Sequence, residues 1–179
     1  MRRDTATRFE IATEGGFSLL EVVLVTAIIA VMAGIAAPRF GRASGRYRAD
    51  LAARRIAADL AYLQSAARRG SCLKRAVFDS GANRYTLESI ADMDRPSQDY
   101  AVNLSDPKYG ADLVSATFQN SNAYVSTTAI SFDMWGQPQC GDPPGNPMAP
   151  LVSGSIVVQV GTETRTITVN PVTGGASIQ

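Results

Sequence analysis

Hydrophobic positions divide the chain into stretches of different period. The first runs from Phe17 to Ala37 as FSLLEVVLVTAIIAVMAGIAA, apolar on every side and broken by one charge, Glu21, and by the small polar residues Ser18 and Thr26. With no polar face, it predicts a helix buried in lipid or among other helices. A helix of that length is about 30 Å long, enough to cross a bilayer core. Pro38 ends the run and lacks the N–H that would bond back to Gly34, so a kink or local break is expected there.

After GRASG at Gly41 to Gly45, read as flexible, apolar residues recur at Ala49, Ala53, Ile56, Leu60, Leu63 and Ala67. Steps of four and three mark one helical face. Arg54, Arg55 and Asp59 fall mostly off that face, with Arg55 and Asp59 spaced as an i,i+4 pair. Arg68 and Arg69 suit the last turn, and Gly70 suits the residue that ends it.

Beyond Gly70 the period shortens to that of strands. Leu73 to Phe78 and Tyr85 to Ile90 flank the turn SGAN and predict a hairpin. Ile156 to Val160 and Thr166 to Val169 flank GTETR and predict a second. Tyr100 to Leu104, Leu113 to Phe118 and Ala129 to Phe132 are weaker strand signals. QPQCGDPPGNPMAP, between Gln137 and Pro150, is read as an exposed loop because of its proline and glycine content.

Composition narrows the chemistry. Seventeen basic residues against sixteen acidic ones leave the chain nearly neutral, and it has no histidine. The commonest general base and metal ligand is therefore missing, together with every Ser-His or Cys-His arrangement, and enzymatic activity is not expected. No cofactor is expected either. Cys72 and Cys140 are too few for a zinc-finger spacing; one disulfide or two free thiols remain open. Asp92, Asp94 and Asp99 form a loose acidic group without the spacing of an EF-hand loop, and ordinary loop solvation accounts for them. Phe132 and Trp135, beside a turn, read as packing residues. The tail TGGASIQ carries no Lys or Arg after Arg165, so nucleic-acid binding is not expected.

The polar leader MRRDTATRFEIATEGG ends in two glycines directly before the apolar run, so cleavage there would keep the helix, unlike a secretory signal peptide. Gly16, Phe17, Ser18, Leu19, Leu20 and Glu21 together resemble the processing motif of type IV pilins and type II secretion pseudopilins. LAARRIAADLAYLQSAARRG, ISFDMWGQPQ and RTITVNPVTGG are similar to minor subunits of the GspH/FimT type. The resemblance implies cleavage after Gly16 and N-methylation of Phe17 by a prepilin peptidase/methyltransferase. It also implies an assembly role for Glu21, whose carboxylate would meet the first amine of a neighbouring subunit.

The fold class so implied is α+β and pilin-like, a long N-terminal helix with a transmembrane first half packed on an antiparallel β-sheet domain. The expected organisation is a cleaved leader at 1–16, a membrane and filament-core helix at 17–38, an amphipathic continuation at 39–70, and a periplasmic β domain at 71–179. The implied place is the bacterial inner membrane, single-pass, with the C-terminal domain periplasmic, and then a filament. Partners would be the major and other minor subunits, and the function that of a structural subunit at or near the tip of a type II secretion pseudopilus or type IV pilus. A signal-anchored periplasmic binding domain and a DNA-binding minor pilin are the alternatives. Charge does not set the orientation: Arg39, Arg42, Arg46 and Arg48 follow the run, and the positive-inside rule alone would not place the leader in the cytoplasm.

Overall fold

The computed structural model describes residues 18–92, 94–126, 128–142 and 145–179, without the side chains of 36–40 and 42. The chain divides into two units, Met1–Phe40 and Gly41–Gln179.

Helical residues extend over Leu19–Gly70. They form two described stretches, 19–35 in the first unit and 43–70 in the second. The expected α+β arrangement, one long N-terminal helix packed on a sheet, is therefore corrected. Among the described residues the protein is mainly antiparallel β, 42% strand, and the stretch 43–70 packs on it. The physical reason lies in the two hydrophobic patterns. A helix with one apolar stripe can bury that stripe on a sheet, whereas one that is apolar all round has no single face to offer. Accordingly Ala49, Ala53, Ile56, Leu60, Leu63 and Ala67 are all buried, while Leu19 to Ile35 are exposed without exception. Gly41 to Gly45, expected to be flexible, is helical. Among the described residues no helix is long and apolar enough to cross a membrane. The expected transmembrane span is thus not found in them.

The helix closes at Gly70 with Ser71 in the left-handed region (φ 45°). The Cys72 N–H donates to the Ala67 carbonyl and the Ser71 N–H to that of Arg68, the two bonds of a Schellman cap.

Among the described residues ten strands follow: β1 Lys74–Asp79, β2 Arg84–Ala91, β3 Asp99–Asn103, β4 Asp112–Asn120, β5 Val125–Ser126, β6 Ala129–Phe132, β7 Pro138–Asp142, β8 Asn146–Val160, β9 Glu163–Val169 and β10 Ala176–Ile178. Their order is β10-β9-β8-β7-β6-β1-β2-β3, with β4 pairing β8 and β5. Every pairing is antiparallel. The fifteen-residue β8 changes partners along its length, meeting β7 up to Pro150, then β4 from Leu151 and β9 from Gly154.

The proline-rich segment 137–150 is not the loop expected, since it supplies β7 and the start of β8 in the middle of the strand order. Three placements make its prolines tolerable. Pro138 opens its strand, Pro147 lies where β7 is the only described neighbour of β8, and Pro150 faces the chain after β4, where a carbonyl and no N–H is used. The Pro150 carbonyl accepts the N–H of Ser121.

Phe78, Tyr85 and Phe118 meet as tilted rings at 5.7 and 5.8 Å. Together with Ile56, Leu60, Leu63 and Phe132 they form the centre of the core.

Candidate functional site

The expected cleavage residues Gly16 and Phe17 lie outside the described residues, and so does the side chain of Pro38. Glu21 is described. Its helix begins after Ser18, whose carbonyl accepts the Val22 N–H at 3.2 Å, so Glu21 sits in the first turn, where a carboxylate is favoured. It lines a shallow groove with Val22, Val25 and Thr26, and has no ion-pair partner among the described residues. Around it stand eleven exposed large apolar side chains, from Leu19 to Ile35. Thr26 turns its hydroxyl inward to the Val23 carbonyl at 3.0 Å, so the stretch offers no free hydroxyl there. This is an exposed apolar surface with one charge near its start.

The two cysteines are not brought together. Cys72 is exposed just past the helix end and Cys140 is buried in β7; both are free thiols. Burial raises the pKa of the Cys140 thiol, which keeps it protonated and unreactive. The acidic residues serve turns. Asp92 accepts the Asp94 N–H and pairs with Arg95, while Asp99 accepts the Ser89 N–H. No group of metal-ligating side chains occurs among the described residues. Phe132 is core, but Trp135 is 69% exposed.

Sequence reasoning missed the polar residues that fix the helix to the sheet. Asp59 is only 8% exposed. Its Oδ2 accepts from the Tyr85 hydroxyl at 2.5 Å and from Arg55 Nε at 3.1 Å, with the Tyr100 hydroxyl at 3.5 Å. The i,i+4 spacing to Arg55 was legible, but the link to Tyr85 was not, because nothing local marks it. Desolvation, then the Asp59 charge, pushes the Tyr85 pKa far up. Here the neutral phenol is the stabilised form, so the contribution is fully present below the unfolded pKa of about 10 and fades as pH rises above it. Stability in urea should therefore fall between pH 9.5 and about 11, and Tyr85→Phe should flatten that slope; an unchanged slope would show that Tyr85 is not its source.

Further along the helix, Gln64 Nε2 donates to two carbonyls, Gly136 at 2.7 Å and Thr173 at 2.6 Å. Arg68 Nε donates to the Trp135 carbonyl at 3.0 Å. The turn between β6 and β7 is thus docked twice, and the turn between β9 and β10 once. Both turns need glycine: Gly136 (φ 79°) and Gly174 (φ 72°) are left-handed, and a Cβ at either would run into Arg68 or Gln64.

No family model, no curated protein and no solved structure matches the chain.

Proposed function

We propose that the chain is a minor pilin or pseudopilin, a non-enzymatic structural subunit placed at or near the tip of a type II secretion pseudopilus or type IV pilus, where it supports filament assembly and protein secretion. The observation that carries this reading is the exposure of eleven large apolar side chains on every side of residues 19–35, with Glu21 as the only charge. Burying such a side chain is worth roughly 1.5–3 kcal/mol, so the stretch has a strong drive to find cover. In this reading other helices of matching character cover the stretch in the filament, and Glu21 gives them a register. An α-amino group at Phe17, freed by cleavage after Gly16, would lie one turn from Glu21 and carries the opposite charge.

In this reading the unassembled subunit is held at the inner membrane by the apolar stretch, and the second unit stands in the periplasm. The resemblance at Gly16 to Glu21 supplies the peptidase and the methylation of Phe17. Intact-mass and N-terminal peptide analysis of the protein purified from its own cells is expected to find the chain starting at methylated Phe17. A native chain that still carries residues 1–16 would sink the reading and favour a signal-anchored periplasmic domain.

A further inference from the structure

On the core side of the sheet Leu87, Ala76 and Ile130 stand in one row across β2, β1 and β6. One residue along each strand the side chains turn to the other face, where Glu88, Arg75 and Ser131 form the matching row. With Leu73, Ser89 and Met148 they line a cavity of about 230 Å³.

Arg75 and Glu88 stand directly opposite each other on the ladder, a placement that favours pairing of opposite charges. They do not pair, and Glu88 has no ion-pair partner among the described residues. Arg75 reaches instead towards Asp142, with Nη2 3.7 Å from its carboxylate, too far for a hydrogen bond. The Arg75 side chain is only 29% exposed, and its Nε is the one buried side-chain polar atom without a partner among the described residues. A cation largely withdrawn from water, with a donor unsatisfied, gains from an anion that enters beside it.

The backbone beside it is strained. Ser89 has φ 59° at a register shift between Leu87 and Ala91. Its N–H donates to the Asp99 carboxylate at 3.0 Å, and its carbonyl accepts from Lys74 Nζ at 2.7 Å. A side chain other than glycine stays in that region only where its surroundings impose it, and such places gather at ligand sites.

The charges around the cavity cancel, Arg75 and Lys74 against Glu88 and Asp142. A simple anion would be opposed by Glu88 and a simple cation by Arg75. A neutral ligand with separated charges satisfies both, and Leu73 and Met148 give it an apolar wall. We infer that this cavity binds a free α-amino acid with an apolar side chain, its carboxylate on Arg75, its ammonium on Glu88, and its side chain against Leu73 and Met148. The site lies wholly within the second unit and does not rest on the filament reading.

Full-length protein in a non-ionic detergent, titrated with L-leucine, should show saturable shifts of the Glu88, Ser89 and Ser131 amide resonances. Isocaproate lacks the ammonium, isoamylamine the carboxylate and glycine the side chain, and each should bind about tenfold more weakly. Arg75→Gln should weaken leucine binding by at least about tenfold, and Glu88→Gln should bring leucine down to the level of isocaproate. Arg54→Ala, which breaks only the exposed pair with Asp50, should leave binding unchanged. If Arg75→Gln fails to fold, Glu88→Gln and the three analogues carry the test. Absence of saturation by leucine, or equal binding of leucine and isocaproate, overturns the proposal. So does tighter binding of O-phosphoethanolamine than of leucine, which would assign a zwitterionic lipid headgroup. An uncleaved N-terminus would defeat the filament reading without altering this titration, so the two failures are distinguishable.

Discussion

Glu21→Ala is expected to leave the chain helical and membrane-associated but to remove it from filaments sheared off the cell, with co-purification of the major subunit down by more than about a hundredfold. The magnitude follows from breaking an ion pair in a dry interface, which costs about 3–5 kcal/mol when one partner is left behind. A second role for Glu21 must be separated from this one. Ser18 and Glu21 have the spacing of a capping box, and a first-turn carboxylate also favours the helix start. Glu21→Gln keeps the shape and the capping ability while removing the charge. It should therefore fail as Glu21→Ala does, with an unchanged circular-dichroism spectrum. Normal assembly of Glu21→Gln would show that the charge is not what the neighbouring subunit reads.

Asp59→Ala is expected to destabilise the second unit by about 3 kcal/mol, since it leaves the buried Tyr85 hydroxyl without a partner and loses a charged hydrogen bond. Arg55 loses its partner too, but it is half-exposed and can turn to water at little cost. The double change Asp59→Leu with Tyr85→Phe removes donor and acceptor together and should recover most of the loss. Urea denaturation followed by circular dichroism provides both numbers. Equal destabilisation by the single and double changes would mean that the Tyr85–Asp59 bond is not the source.

The helix from Ala49 to Ala67 was legible because the six residues of its apolar stripe repeat at a period no strand shares, and all six are buried. The first hairpin was legible too: its predicted runs overlap β1 from Lys74 onward and fall within β2, and the two strands pair Phe78 with Tyr85. What could not be read was long-range pairing. Local composition condemned residues 137–150 as a loop, and only the partner strands reveal that Pro147 meets β7 alone among the described residues and that Pro150 need offer only its carbonyl, to Ser121. Asp59 was hidden for the same reason, as a polar residue one step off an apolar face acquires its meaning from Tyr85, far along the chain. The apolar run was misjudged in a different way. Its hydrophobicity was plain, but no helix among the described residues is long and apolar enough to make the expected span. At the candidate assembly surface Glu21 was legible as the lone charge in that run.

Gln64 shares a single side-chain nitrogen between the turn that carries Trp135 and the turn that leads into β10. Two regions remote in sequence therefore lean on one peg, and neither can come loose without disturbing the other's anchorage. Because Trp135 is the chain's sole tryptophan, its emission is a native gauge of whether the final strand is seated, with no label to be added.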